Sequence, residues 1–155
     1  MSDLAVRDRD LRELMDDPDC DLQALRKTYA QFRVMNRLVA GWHVLYRQRI
    51  RPRLDARRPT TLLDIGSGGG DIARALAGWA ARDGRELRVT AVDPDPRAYA
   101  FATGEPAIPG LEYRAGTSAD LVAEGRRYDV VISNHLLHHL TEAELARLLH
   151  DSAAL

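Results

Sequence analysis

The sequence contains very little cysteine and lysine: one of each, Cys20 and Lys27, in 155 residues. A single cysteine excludes an intrachain disulfide bond and a metal site built from several cysteines, and it fits a reducing compartment. The 22 basic residues, nearly all of them arginine, are balanced by 23 acidic residues, which leaves a net charge of −1. The chain therefore lacks the overall charge that attracts nucleic acid or a membrane surface.

The sequence also lacks a long apolar run. No stretch approaches the ~20 apolar residues of a membrane-spanning helix. The N-terminal region is unlike a signal peptide, since it contains the charged residues Asp3, Arg7, Asp8 and Arg9. Six arginines between positions 47 and 58 are interpreted as a solvated linker, because few aromatic residues accompany them. We expect a soluble, cytoplasmic, single-domain protein whose partners include neither nucleic acid nor a membrane.

A glycine-rich turn joins an apolar run to an amphipathic segment in residues 61–76, TLLDIGSGGGDIARAL. The run around Leu62, Leu63 and Ile65 predicts a strand buried on both faces of a parallel sheet. Later apolar residues repeat at helical spacing, so the turn leads into a helix whose N-terminus points back at it. Because glycine lacks Cβ, the backbone of this turn can adopt positive φ and contact a ligand closely.

The spacing of the glycines indicates the kind of ligand. A dinucleotide fingerprint, G-x-G-x-x-G, would need its third glycine at Asp71, so a nicotinamide-dependent oxidoreductase is disfavoured. The sequence instead has a D-x-G-x-G-x-G pattern, formed by Asp64, Gly66, Gly68 and Gly70. This pattern resembles motif I of the class I S-adenosylmethionine (SAM)-dependent methyltransferases. The resemblance implies that the turn, including Ser67, holds the methionine end of SAM, and that Asp64 orients the turn and meets the SAM amino group through water.

An acidic residue follows the second predicted strand, residues 87–92. This residue, Asp93, lies 23 positions after Gly70 (93 − 70), about where nucleoside-binding α/β folds place a carboxylate for the ribose hydroxyls. The resemblance implies this ribose role for Asp93, and its VDPDP setting adds Pro94 to the expected SAM contacts. A helix cap is the alternative for an Asp at a strand end, and Asp95 is expected to cap the next helix.

The third predicted strand, residues 111–115, leads into the turn Gly116-Thr117-Ser118. This turn resembles the adenine-contacting turn of the family, in which an Asp usually bonds to the adenine amino group. Thr117 stands where that Asp is expected. The resemblance therefore implies that Thr117 and Ser118 flank the adenine without supplying a charge, and Asp120 is interpreted as a surface or capping residue.

The fourth predicted strand, residues 128–133, is read as buried and is followed by NHLLHHL. Ligands of open parallel sheets bind beyond the carboxyl ends of the strands, so Asn134 is a candidate SAM contact. His135 and His138 are candidate general bases. His139 could share a helical face with both, but with no carboxylate or cysteine cluster beside them we predict no metal site. Ordinary helix packing is the alternative for each histidine.

These elements predict an α/β fold with a Rossmann-like, doubly wound parallel sheet whose first four strands have the order 3-2-1-4. Residues 59–155 are assigned to the N-terminal part of the SAM-binding core, and residues 1–58 to a helical lid and linker. Thr141 and Glu144 predict a capping box at the start of the last helix.

The lid is predicted to contain a short helix over residues 8–15 and a longer helical region with one apolar face. The members of that face are Leu22, Leu25, Tyr29, Phe32, Met35, Val39, Trp42 and Tyr46. Because a continuous helix would exceed about 25 residues, we expect a break near Asn36 or Ala40-Gly41. Residues 32–47, FRVMNRLVAGWHVLYR, resemble the segment that helps to close the pocket in ubiquinone/menaquinone-biosynthesis methyltransferases. The match is carried by Met35, Asn36, Gly41 and His43, and plain helix packing is the alternative.

Class I methyltransferases have a seven-stranded sheet, of which this sequence accounts for four strands. We expect that the chain is a fragment of a longer enzyme, or that a homodimer or strand exchange covers the apolar edge of the fourth strand. The first functional hypothesis is a SAM-dependent methyltransferase that acts on a small-molecule acceptor, by O- or C-methylation of a quinone-like or polyketide phenol, and releases S-adenosylhomocysteine. The second is a non-catalytic, regulatory SAM-binding module, and the third is an NAD-dependent oxidoreductase.

Overall fold

The computed structural model describes residues 20–21, 23–25, 27–29, 31 and 41–155. At its centre is a parallel sheet of four strands, β1 (Thr60–Ile65), β2 (Leu87–Asp93), β3 (Leu111–Ala115) and β4 (Val130–Ser133). The spatial order is β3-β2-β1-β4, so β1 lies between β2 and β4. The predicted Rossmann-like α/β sheet with strand order 3-2-1-4 is confirmed.

Helices connect the strands and cover the sheet. They are α1 (Trp42–Leu45), α2 (Asp71–Arg82), α3 (Pro96–Gly104), α4 (Ser118–Ala123) and α5 (Glu142–Ala154). A π-helical turn at Tyr46–Ile50 and a 3₁₀ turn at Arg51–Arg53 continue α1, and another 3₁₀ turn spans Leu137–His139. Each of α2, α3 and α4 forms the crossover between two successive parallel strands.

Strand β1 is buried from both sides of the sheet. Leu62 and Leu63 point to opposite faces, and both are 0% exposed. Leu62 belongs to the same apolar cluster as Ile72 and Leu76 of α2, whereas Leu63 belongs to a second cluster with Leu121 of α4. Helices on both faces explain why the strand sequence is continuously apolar rather than alternating.

Strand β4 lies at the edge of the described sheet and differs from the prediction in two respects. It begins at Val130 rather than at Tyr128, whose N–H donates to the carbonyl of Leu155. Its residues are half-buried rather than buried, because in the described part of the chain β4 pairs with β1 alone.

Side chains identified in the sequence fix two helix starts. Asp95 caps α3 by accepting a hydrogen bond from the Arg97 N–H. At the start of α5, Thr141 accepts from the Glu144 N–H, and the Glu144 carboxylate accepts from the Thr141 N–H. Both caps are confirmed, and they satisfy amide groups that the helices themselves leave unpaired.

Part of the N-terminal region packs on α3. Residues 23–25, 27–29 and 31 are helical, and Leu25 and Tyr29 are buried against Ala98. Gly41, with a left-handed φ of 66°, precedes α1, so a helix begins where the Ala40-Gly41 break is predicted. Other predicted features lie outside the described residues: the helix over 8–15, Leu22, Phe32, Met35, Asn36 and Val39. No helix of the described residues is long and apolar enough to cross a membrane.

Candidate functional site

The glycine-rich turn between β1 and α2 has a left-handed backbone at alternate residues. The φ angle is 70° at Gly66, 53° at Gly68 and 74° at Gly70, a conformation that glycine adopts without steric cost. At Gly70, a Cβ atom would also lie 2.4 Å from the ring of Tyr113 on β3. Packing against the sheet, as well as backbone conformation, therefore requires glycine at this position.

The amide groups of the turn bond to the protein itself. The N–H groups of Gly66 and Ser67 both donate to the carbonyl of Val92, at 2.9 and 3.2 Å. The Gly68 N–H donates to Oδ2 of Asp93 at 2.7 Å. Three consecutive donors thus face the end of β2, which leaves the turn poorly suited to hold a phosphate group through its amides.

A cavity of about 370 Å³ opens beside the turn, at the carboxyl ends of β1, β2 and β4. Most of the predicted site residues line it: Asp64, Gly66, Ser67, Gly68, Asp93, Pro94, Asn134, His135 and His138. They come from three segments that the parallel strands bring to one edge of the sheet. The volume falls in the ~300 to 1,000 Å³ range of small-molecule sites.

Three predicted cofactor contacts, Gly70, Thr117 and Ser118, are not among the residues that line this cavity. Thr117 forms a capping box with Asp120 at the start of α4, which is the capping role predicted for Asp120. Ser118 is buried, and its hydroxyl donates to Oδ2 of Asp151 on α5 at 2.7 Å. Both hydroxyls therefore have partners within the protein.

Seven further residues line the cavity that the sequence analysis does not predict as cofactor or catalytic contacts: Tyr29, Gly69, Asp71, Ile72, Asp95, Leu136 and His139. Of these, His139 appears in the sequence analysis only as a possible metal ligand. Tyr29 comes from the N-terminal region, where the sequence shows only an apolar face. Burial, with the nearby Asp95 and Asp93 carboxylates, raises the pKa of its hydroxyl to about 12. Asp71 is the first residue of α2. Its position in the first turn of a helix that follows a ligand-binding loop is the sequence signal that could have predicted Asp71 as a site residue.

The carboxylate of Asp64 lies at the base of the cavity. Asp64 is 1% exposed, and its Oδ1 has no hydrogen-bond partner among the described residues. Burial, followed by the charges of Asp71 and Asp93, raises the pKa of Asp64 to about 8. Buried polar atoms normally have partners, so a ligand with a hydrogen-bond donor or a positive charge fits this position.

Asp93 combines a structural bond with access to the cavity. Its two oxygens accept the N–H groups of Gly68 at 2.7 Å and of Asp95 at 2.9 Å. Burial raises the pKa of Asp93 despite these two donors. Because each carboxylate oxygen can accept a second hydrogen bond, Asp93 can still accept hydroxyl groups from a ligand. For Asp95, burial is outweighed by hydrogen bonds from Arg97, which hold its pKa below the usual range.

Four carboxylates thus line one cavity, those of Asp64, Asp71, Asp93 and Asp95. None of the described lining residues is Lys or Arg. Asp64, with a pKa of about 8, is mostly protonated at pH 7, and the other three carboxylates give this concave site a potential of one sign. The cavity therefore favours a ligand that carries positive charge over one that carries phosphate groups.

The histidines form one wall of the cavity. His135 has a φ of 55°, and it is the one non-glycine residue of the described chain with positive φ; such strained positions concentrate at functional sites. The ring centroids of His138 and His139 are 3.9 Å apart, and those of His135 and His138 are 6.2 Å apart. His138 and His139 lie in the 3₁₀ turn Leu137–His139 and His135 precedes it, so the three do not share an α-helical face. Among the described residues, no group of three His, Cys, Asp or Glu side chains could hold a metal ion.

The fold and the cavity define a class of protein: an open parallel α/β sheet with a small-molecule site where the strand order reverses between β1 and β4. A family model described as a methyltransferase domain matches residues 62–155, more than half of the chain. The chain belongs to this family, and the family predicted from the glycine-rich turn is confirmed.

Curated relatives share this core. The ubiquinone biosynthesis O-methyltransferase of Methylobacterium sp. (strain 4-46) is 34% identical over 100 residues, which cover 61% of this chain and 35% of the relative. The protein of the same name from Cereibacter sphaeroides is 35% identical over 83 residues, 52% of this chain and 31% of the relative. The chain thus spans about a third of the length of the curated relatives that it matches.

Solved structures of methyltransferases share the fold. Human N-acetylserotonin methyltransferase, solved with SAM, matches with a TM-score of 0.64 at 12% identity, over 84% of this chain and 34% of that chain. Phosphoethanolamine N-methyltransferase 1 of Haemonchus contortus matches with a TM-score of 0.52 at 18% identity, over 86% and 30% of the two chains. At these identities the likeness concerns the fold alone.

Proposed function

We propose that this chain binds SAM in the cavity and transfers its methyl group to a small-molecule acceptor. The observation that carries the proposal is the set of four cavity carboxylates, with no Lys or Arg among the described lining residues. SAM has a sulfonium and an ammonium group against a single carboxylate, so its net charge is positive. Oδ1 of Asp64, which has no hydrogen-bond partner among the described residues, suits a cationic group, because nearby carboxylates make an opposite charge favourable there.

The same features disfavour NAD. A dinucleotide has two phosphate charges, which are normally held by free amides at a helix N-terminus. Here the amides of Gly66, Ser67 and Gly68 bond to Val92 and Asp93, and Asp71 adds a negative charge at the first residue of α2.

We assign roles to the cavity residues on this basis. Asp64 and the turn residues Gly66, Ser67 and Gly68 hold the methionine end of SAM, and Asp93 accepts hydrogen bonds from the ribose hydroxyls. No adenine contact is proposed for the hydroxyls of Thr117 and Ser118, because both have partners elsewhere. SAM supplies an electrophilic methyl group on a sulfonium when bound.

Methyl transfer needs alignment more than chemical assistance. Holding the acceptor oxygen or carbon in line with the methyl group accounts for ~7 to 11 kcal/mol of the barrier. A histidine that removes the acceptor proton adds ~10²- to 10⁴-fold. His135 is our first candidate and His138 the second, since both line the cavity. The names of the relatives, ubiquinone biosynthesis O-methyltransferases, support a phenolic hydroxyl as the acceptor.

Calorimetry and methyl-transfer assays test the proposal. We expect S-adenosylhomocysteine to bind this chain and NAD not to bind, and radiolabelled methyl groups of SAM to reach members of a panel of phenols. Binding of NAD without S-adenosylhomocysteine would contradict the cofactor assignment. Binding without transfer to any phenol would favour the alternative, a non-catalytic SAM-binding module.

Substitution of the histidine tests the base. Asn tolerates left-handed φ better than most residues, so His135→Asn should fold normally while lowering kcat about 10²- to 10⁴-fold. His150→Asn is the matched control, because His150 is exposed on α5 and is not among the residues that line the cavity. Equal kcat values for the two variants would exclude His135 as the base.

We also propose that a second copy of the chain covers the free edge of β4, and that the protein acts in the cytoplasm. The edge strand has three apolar residues, Val130, Val131 and Ile132, which are half-buried, and exposed apolar edges favour pairing with another chain. Light scattering should then report twice the mass of 17.3 kDa. A monomer at all accessible concentrations would contradict the pairing.

A further inference from the structure

A side-chain hydrogen bond joins one wall of the cavity to the N-terminal part of the chain. The indole Nε1–H of Trp42 donates to Oδ1 of Asn134 at 3.3 Å, across 92 positions of the sequence. Trp42 is the first residue of α1, and Asn134 directly follows β4. Asn134 lines the cavity, whereas Trp42 does not. The indole therefore acts on the cavity through Asn134.

This bond fixes which way the amide of Asn134 faces. An indole N–H can only donate a hydrogen bond, whereas a side-chain amide has an oxygen acceptor and an NH₂ donor. Rotating the amide of Asn134 by half a turn would set two donors against each other, so the oxygen must face Trp42. The NH₂ group of Asn134 then faces away from the indole and has to find its acceptor elsewhere.

Trp42 is held firmly enough to impose this orientation. It is 8% exposed and belongs to the main apolar cluster together with Leu62. The π-helical turn that continues α1 is anchored at Asp83, which accepts the Tyr46 hydroxyl at 2.9 Å and the Arg51 Nε–H at 2.6 Å. The indole is thus a fixed element of the core, and the amide of Asn134 aligns to it.

A donor in this position has particular value because it comes from a neutral side chain at the end of β4, close to the carboxylates of the cavity. The carboxylates of Asp71, Asp93 and Asp95 are acceptors, and the amides of Gly66, Ser67 and Gly68 bond within the protein. A negatively charged ligand oxygen, such as one in the carboxylate of SAM or of S-adenosylhomocysteine, would be repelled by these aspartate side chains. The NH₂ group of Asn134 is a neutral donor that can bind such an oxygen without adding charge.

We propose that Trp42 is a positioning residue that locks the Asn134 amide with its NH₂ group toward the cavity, where it donates to an oxygen of the bound ligand. The identity of that ligand rests on the function proposed above. In this role Trp42 determines affinity without touching the ligand.

A four-variant cycle with S-adenosylhomocysteine as the probe tests the proposal by calorimetry. Trp42→Phe keeps most of the ring and removes the N–H, so the amide is free to rotate, and we expect affinity to fall about 3- to 10-fold. Asn134→Ala should lower affinity at least as much, and Asn134→Asp should lower it further, because it replaces the donor by a carboxylate. Trp42→Phe should then have no further effect in the Asn134→Ala background.

Trp79→Phe is the matched control. Trp79, the second of the two tryptophans, packs against the same apolar cluster and is not among the cavity-lining residues. Both Trp→Phe changes should lower stability in urea, but only Trp42→Phe should lower affinity. Equal affinities for the two variants, or a Trp42→Phe loss that persists beside Asn134→Ala, would overturn the positioning role.

A ligand-free measurement separates this inference from the proposed function. By NMR, the indole N–H of Trp42 should exchange with solvent faster in Asn134→Ala than in the parent, while that of Trp79 should be unchanged. Faster exchange at Trp42 alone supports the lock, and unchanged exchange would overturn it. If the parent chain did not bind S-adenosylhomocysteine, the proposed function would fail, whatever the exchange result.

Discussion

Replacing Asp64 by Asn should make the protein more stable and its cofactor site weaker. Asp64 is fully buried, and its pKa is raised from 3.8 to about 8 by burial and by the charges of Asp71 and Asp93. At pH 7 it is therefore protonated in the native state and ionised in the unfolded chain. The native state gives up the favourable hydration of that charge, a loss that Asn does not incur.

The pH dependence of this effect has a definite sign. Between pH 3.8 and about 8, the native state holds a proton on Asp64 that the unfolded state has released, so the free energy of unfolding falls as the pH rises. Within this range, each rise of one pH unit lowers the free energy of unfolding by about 1.4 kcal/mol. Asp64→Asn should thus raise the free energy of unfolding by up to about 4 kcal/mol at pH 7, and by about 2 kcal/mol at pH 5.

Binding should respond in the opposite direction. A ligand ammonium or sulfonium favours ionised Asp64, so the affinity of the parent for S-adenosylhomocysteine should rise from pH 6 to pH 8 as the carboxyl loses its proton. Asn cannot ionise. We expect Asp64→Asn to bind about 10- to 100-fold more weakly at pH 8, with little dependence on pH.

Urea unfolding at pH 5 and pH 7, with calorimetry at pH 6 and pH 8, measures both effects. Asp129→Asn is the control for the substitution itself. Asp129 lies outside the cavity lining, and hydrogen bonds from Arg58 and Thr61 hold its pKa well below the usual range, so this variant should be less stable with unchanged affinity. The reasoning would be refuted by an Asp64→Asn protein that is no more stable than the parent at pH 7, or by unchanged binding.

Two further predictions concern the turn after β1 and the residue that ends β2. Gly70→Ala should lower the free energy of unfolding in urea by about 2 to 4 kcal/mol, since its Cβ would lie 2.4 Å from Tyr113 at a φ of +74°. The control Gly78→Ala, in open space within α2, should instead raise it by about 0.5 to 1 kcal/mol. Equal effects of the two substitutions would contradict the packing argument. Asp93→Asn should weaken S-adenosylhomocysteine about 10- to 100-fold by calorimetry, whereas retained affinity would remove the ribose assignment.

Sequence reasoning predicted the sheet and one side of the cavity because both follow from local patterns. The turn after β1 and Asp93 after β2 each stand at a strand end, and parallel strands bring such ends together. The capping boxes are similarly local, since Thr141 and Glu144 are three residues apart. Features that depend only on neighbouring residues or on strand direction can therefore be predicted from the sequence alone.

The rest depends on contacts between distant parts of the chain. Tyr29 reaches the cavity because its helical segment packs on α3, and an apolar face does not specify its partner. Ser118 is predicted to flank the adenine, and the structure adds a partner for its hydroxyl, Asp151, which lies 33 positions later. The indole of Trp42 bonds to Asn134 across 92 positions. No local pattern encodes such pairs, so the sequence yields candidates whose partners only the fold determines.

The direction of the amides in the turn explains how one strand-turn-helix unit can serve opposite ligands. When the amides point outward, the N-terminus of the helix attracts phosphate. Here three of them bond to Val92 and Asp93, and the lining includes four carboxyl groups and, among the described residues, no Lys or Arg. A lining of carboxylates in place of free amides favours a positively charged ligand, and the backbone fold stays the same. An acidic residue at the end of β2 is compatible with either kind of ligand, so the pairing of the turn amides and the charge of the lining together favour a cation here.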